Sequence, residues 1–166
     1  YPTDTVWGIG WNALSDNATK KIFKLKKRDY SNGLICLASN FEMISKYADI
    51  SEIEKLIQIS DDSPTTFIFD NPKDISNFVL GNNSSIAFRV PKNNFCLRLI
   101  ETFGKPIVST SANLSGFKVP LNFNDIKPEI KENVGYVVKL EQAKECSKSS
   151  RILKYNYDNN SFDRLR

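Results

Sequence analysis

Strands that alternate with helices over the first two thirds of the chain, followed by a closing hairpin, predict an α/β fold on a mixed, twisted sheet. The expectation rests on β-branched and aromatic runs bounded by turn residues, helical-period stretches between them, and a length suited to one domain. The 166 residues are 40% apolar and 25% charged, a globular composition able to bury a core without staples. A single domain over 1–166 is expected.

In chain order, YPTDTVWGIG reads as a strand running into a turn at Gly8 and Gly10. Glycines there would let backbone amides approach a ligand closely. Ser15 or Asp16 can cap a helix whose packed face carries Ala18, Ile22 and Leu25, with the lysines outward. GLICLAS, bounded by Asn32-Gly33, is a short apolar run and a buried strand. Ser51 and Glu54 stand at capping-box spacing and start the next helix. TTFIFD and SIAFRV are strands, and Pro91 closes the second. Phe95, Leu99 and Phe103 form one helical stripe that stops at Gly104. KPIVS is a strand that empties into the hydroxyl-rich loop TSANLSG. VGYVVKL reads as a further strand, and RILKYNY with SFDRLR as a hairpin around Asp158-Asn159-Asn160.

Composition excludes much familiar chemistry. The chain has no His, which rules out Ser-His-Asp and Cys-His nucleophilic sites and imidazole metal ligands. Cys36, Cys96 and Cys146 lie far apart with no paired spacing, so neither a zinc site nor a disulfide framework is signalled, and a reducing cytoplasm fits. No apolar run approaches the roughly 20 residues of a membrane span. The net charge of +4 suits an anionic ligand.

Four polar segments sit at strand or helix ends, where α/β folds place ligands. Thr3, Asp4 and Thr5 accompany the glycines of the opening stretch and offer donors and acceptors, or form an ordinary strand-to-loop passage. Lys26 and Arg28 end the first helix; they can turn toward one polyphosphate, or simply complement the helix dipole. Arg89, inside an apolar strand, needs an anionic partner, which can be a structural carboxylate or a ligand's. Ser109, Thr110, Ser111, Asn113 and Ser115 crowd behind a strand in a loop suited to a sugar or phosphate.

Taken in this order, PTDTVWGIG, the Lys-x-Arg of KLKKRDYSNGLICL, the Pro-x-Thr of SPTTFIF, the Arg of IAFRVP and the Ser-x-Asn of KPIVSTSANLSG resemble the YrdC-like family, the threonylcarbamoyl-AMP synthases. SSRILKY and FDRLR resemble its closing hairpin. The resemblance covers the whole chain. It implies a YrdC-like twisted mixed sheet with flanking helices around a cationic cavity, missing the helix and strand the family usually has ahead of the opening motif. The implied reaction joins L-threonine, bicarbonate and ATP, with Mg²⁺, into threonylcarbamoyl-AMP and pyrophosphate. The product would pass to a transferase complex that modifies adenosine in transfer RNA. By the same resemblance Lys26 and Arg28 hold the ATP phosphates, and Ser111 and Asn113 line the junction of nucleotide and amino acid. Thr3, Asn32, Arg89 and Ser150 surround threonine, with Arg89 on its carboxylate, while Ser85 and Arg166 contact ATP. No protein metal ligand and no membrane partner are expected. Two alternatives share the fold: a module binding double-stranded or transfer RNA, and a carbamoyl-transfer domain of the hydrogenase-maturation type.

Overall fold

One sheet organises the chain, and its two faces have opposite characters. The computed structural model describes residues 1–29, 33–50, 52–81, 84–143, 145–146 and 149–165. Among them the strands are β1 (Gly8–Asn12), β2 (Ile35–Leu37), β3 (Thr65–Phe69), β4 (Ile86–Arg89), β5 (Ile107–Ser111), β6 (Arg151–Asn156) and β7 (Ser161–Arg164). Their order across the sheet is β1-β5-β2-β4-β3-β6-β7. β2 with β4 and β3 with β6 are parallel, and the other neighbours are antiparallel. This is the mixed sheet expected from the sequence, with the expected hairpin as its last two strands.

Side chains alternate between faces along a strand. One face therefore carries Cys36, Phe67, Phe69, Ile86, Phe88, Val108 and Leu153, all buried in one cluster. Helices α1 (Asp16–Lys26), α2 (Phe41–Ile44) and α3 (Ile53–Asp61) cover it, contributing Phe23, Phe41, Ile44 and Leu56. Each such side chain contributes about 1.5–3 kcal/mol on burial, so this face anchors the fold. A second cluster holds Trp7, Ile9, Ala112, Leu114, Ile126 and Ile130, the last from α5 (Pro128–Glu132). The opposite face carries Ile35, Thr66, Ile68, Ala87, Arg89, Ser109 and Ser111. At one end it is closed by Tyr1 and α4 (Asn94–Phe103), whose Ile100 meets Leu37 and Ile107. The remainder is open, and the candidate site lies there.

Several expectations change. Residues 1–7 form a loop and the strand begins at Gly8, the reverse of a strand entering a turn, because Thr3 ties the loop to itself. Ser15 caps α1, its hydroxyl accepting from Ala18 N at 3.2 Å, but the buried residues are Thr19, Phe23 and Lys26. Ala18, Ile22 and Leu25 are half-buried, since the helix rolls Phe23 into the larger aromatic cluster. In α4 the buried positions are Cys96 and Ile100, while Phe95 is half-buried and Leu99 and Phe103 are exposed. Asn93 caps this helix through Cys96 N at 3.0 Å, which turns the next stripe inward. Gly104 ends it in the left-handed region, as anticipated. Residues 134–140 form no strand, and Tyr136 is 77% exposed; β-branched character without a facing strand or a buried face does not suffice. Ser51 lies outside the described residues. α3 begins with Glu52 at its cap position and no side-chain cap bond. The short helices α2 and α5 carry no signal long enough to announce them.

Candidate active site

A cleft of about 580 Å³ occupies the open face of the sheet. Ser109, Ile35, Ala87 and Ile68 lie side by side on β5, β2, β4 and β3, and Ile152 adds to this apolar floor. Arg28, Arg89, Ser111, Thr66 and Ser150 supply polar walls. The same alternation that buries the phenylalanines beneath thus places small and polar side chains above.

The opening loop is built on Thr3. Its hydroxyl donates to Val6 O at 2.7 Å and accepts from Thr5 N at 3.0 Å and Val6 N at 3.1 Å. This is a side-chain-driven turn. Thr3 borders the cleft, with its hydroxyl bonded within the loop. The turn presents Asp4 to Arg89, Oδ1 to Nη1 at 2.8 Å, with 7% and 5% of the side chains exposed. The other Asp4 oxygen accepts from Lys92 N at 3.0 Å. Arg89 therefore has a structural carboxylate on one side and the cleft on the other.

Gly8 and Gly10 serve a different purpose from the one read in the sequence. A Cβ on Gly10 would lie 2.7 Å from the Tyr1 ring, and one on Gly8 would lie 3.3 Å from it. Gly10 makes room for that ring, and Gly8 for Ser109 Oγ at 3.1 Å as well as the ring. The Tyr1 hydroxyl donates to Ser109 Oγ at 2.6 Å. At Gly33 and Gly81 two backbones touch in the cleft wall: a Cβ on Gly33 would sit 2.7 Å from Gly81 Cα.

Lys26 and Arg28 are separated by Lys27, a left-handed C-cap at φ 53°, and the two side chains part there. Arg28 reaches the cleft, donating to Gly33 O at 3.0 Å and Thr110 Oγ1 at 3.4 Å. Lys26 is buried, against the expectation of an outward lysine, and donates to Ser111 O through a short contact and to Asn113 O at 2.6 Å. Burial first, then the neighbouring Arg28 charge, lowers its pKa to about 8. Burial also lowers that of Arg28. Lys26 thus holds the Ser-x-Asn loop from behind. Within that loop Ser111 Oγ donates to Asn113 Oδ1 at 2.5 Å and Asn113 Nδ2 to Phe117 O at 2.6 Å.

Of the sequence-predicted residues, Thr3, Arg28, Ser85, Arg89, Ser111 and Ser150 border the cleft together. Lys26 and Asn113 stand behind its wall. Ser150 shares a 2.7 Å hydrogen bond with Thr66. Asn32 and Arg166 lie outside the described residues. Ser109, one of the hydroxyls read as suited to a sugar or phosphate, also borders the cleft, whereas sequence reasoning gave no particular role to Thr66 or Tyr1. The cysteines are buried. Burial raises the pKa of Cys36, and that of Cys96 is pushed up to about 12, by burial and then Asp4, so these are packing thiols rather than nucleophiles. The arrangement suits a ligand with anionic groups, which cations and hydroxyls hold without a covalent intermediate.

The Sua5/YciO/YrdC family model, described as telomere recombination, matches residues 1–166. A threonylcarbamoyl-AMP synthase of Pseudoalteromonas translucida is 34% identical over 142 residues, covering 83% of this chain and 76% of the relative. Another, from Enterobacter sp., is 38% identical over 120 residues, covering 70% of this chain and 63% of the relative. The crystal structure of P. abyssi Sua5 complexed with L-threonine superposes with a TM-score of 0.77 at 28% identity, over 92% of this chain and 45% of that one. With the family model matched from end to end and a curated relative one third identical over three quarters of its own length, this chain belongs to the Sua5/YciO/YrdC family.

Proposed function

We propose that this chain synthesises threonylcarbamoyl-AMP from L-threonine, bicarbonate and ATP, acting as a nucleotidyltransferase. The observation that supports it best is a cleft with two guanidinium-bearing walls and a hydroxyl-rich loop, in a chain whose curated relatives are named threonylcarbamoyl-AMP synthases. Sua5 of P. abyssi binds L-threonine, and threonine is proposed as the amino acid here.

In this reading the threonine amine adds to carbon dioxide from bicarbonate and loses a proton, giving a carbamate. A carbamate oxygen then forms a bond to the α-phosphorus of ATP while the bond to the pyrophosphate oxygen breaks. Such a transfer depends chiefly on positioning and on cations that neutralise charge. Arg28 would meet the phosphates directly, with Lys26 adding charge from behind and fixing the Ser111–Asn113 loop. Arg89, aimed by Asp4, would hold the threonine carboxylate beside Ser150, and Ser85 would contact ATP. Mg²⁺ is proposed as part of the substrate, carried on the ATP phosphates. The product would pass to a transfer RNA threonylcarbamoyl transferase.

Pyrophosphate release tests this. It is expected only when threonine, bicarbonate and ATP are all present. Release without threonine would overturn the reading, and no release together with duplex RNA binding would return the chain to a binding module.

A further inference from the structure

The Tyr1 hydroxyl is buried, and its donor bond to Ser109 Oγ at 2.6 Å is the hydrogen bond the structure shows for it. Gly8 and Gly10 of β1 stand close against the ring, a Cβ on Gly10 falling 2.7 Å from it, and this packing holds the ring beside Ser109. A buried hydroxyl hydrogen left unbonded costs the full desolvation of that group, so Tyr1 must donate and Ser109 must accept. Burial also raises the phenol's pKa, which keeps the hydrogen in place at every working pH.

Consider what that leaves Ser109. A serine hydroxyl carries one hydrogen and two lone pairs. With a lone pair taken by Tyr1, its own hydrogen must point elsewhere, and Ser109 borders the cleft on the same side as Ser111. A free serine would rotate to donate or accept as a ligand required. Here Tyr1 removes part of that freedom, favouring ligand oxygens that accept over ammonium groups that donate.

We propose that Tyr1 is a positioning residue that sets Ser109 as a donor to an oxyanion of the bound substrate. This rests on the cleft being the substrate site, and the oxyanion is either the carboxylate of the amino acid or a phosphate of ATP.

Tyr1→Phe keeps the ring over the two glycines and removes only the hydroxyl, so the midpoint of unfolding should move little. The experiment is calorimetric binding of L-threonine and, separately, of MgATP to the unmodified chain, Tyr1→Phe, Ser109→Ala and the double variant. Tyr1→Phe is expected to weaken one ligand by about 3- to 10-fold, the range of a single hydrogen bond. Ser109→Ala should weaken the same ligand at least as much, and the double variant should be no weaker than Ser109→Ala. The affected ligand identifies the oxyanion. Unchanged binding of both ligands to Tyr1→Phe would overturn the proposal, as would losses that multiply in the double variant. Should Tyr1→Phe fold poorly, unchanged affinity for both ligands in Ser109→Ala overturns it equally. A chain that binds neither ligand refutes it outright. If the pattern of affinities holds but no pyrophosphate is released, the positioning role stands and the proposed reaction falls.

Discussion

Asp4 and Arg89 meet at 2.8 Å with almost no exposure, and each is the reason the other can be buried. An Arg in an apolar strand needs an anion; what the sequence left open was whether protein or ligand supplied it. The answer stands next to Thr3 in the chain, but it becomes legible only once the turn around the Thr3 hydroxyl is known. Thr3 stands beside threonine only by the family resemblance. Its bonds to Thr5 and Val6 are local, as Thr hydroxyls often make with neighbouring backbone. The pair predicts a graded response. Asp4→Ala leaves a buried guanidinium uncompensated and should cost about 3–5 kcal/mol of stability. Asp4→Asn keeps an acceptor for Arg89 but turns a second donor on Lys92 N, so it should cost less while raising KM for threonine more than KM for ATP. Denaturant unfolding with the two KM values checks this; equal changes in both would show that Asp4 does not act through the amino acid end.

Among the elements, strands were legible and helix faces were not. TTFIFD, SIAFRV and the final hairpin appear where their β-branched and aromatic character put them, because a two-residue period leaves only two faces to choose between. A helix offers a continuum of faces, and a cap can rotate it: in α4 the Asn93 cap brings Cys96 and Ile100 inward instead of Phe95 and Leu99. Residues 134–140 show the opposite limit, a strand-like composition with nothing to pair against. The wall formed by Gly33 and Gly81 was equally silent, since each glycine's reason lies some 50 positions away in the chain. Gly33→Ala places a methyl 2.7 Å from Gly81 Cα, backbone against side chain, with no flexible group to yield. It should destabilise by about 1–3 kcal/mol, as overpacking does, and weaken ligand binding because both glycines border the cleft. Full stability in denaturant would show that the two loops can part freely.

For the whole molecule, the α/β class, the mixed sheet and most of the cleft's polar residues followed from order along the chain. The burial of Lys26 did not, because nothing local distinguishes it from Lys24 or Lys27, and only the loop brought back by β5 supplies its carbonyl partners. That burial has a consequence for stability against pH. The folded chain lowers the Lys26 pKa from its ordinary 10.5 to about 8, so between those values the unfolded chain binds more protons and stability rises with pH. Below about pH 8 both states are protonated and the cost of burying the charge is fully present. Cys36 and Cys96 act in the other direction: their folded pKa values lie above the ordinary 9.0, so past that point the unfolded chain loses protons the folded chain retains. Tyr1 adds to this above its ordinary 10.0. Lys26 raises stability, and Cys36, Cys96 and then Tyr1 lower it, so the stability curve should climb from about pH 8, turn over near pH 9 and decline beyond. Lys26→Met removes the rising limb and keeps the decline. Denaturant midpoints measured at half-unit steps from pH 7 to 10 would decide it. A curve for Lys26→Met parallel to that of the unmodified chain across the climb would mean that Lys26 titrates near its ordinary value, exposed to solvent rather than behind the Ser-x-Asn loop.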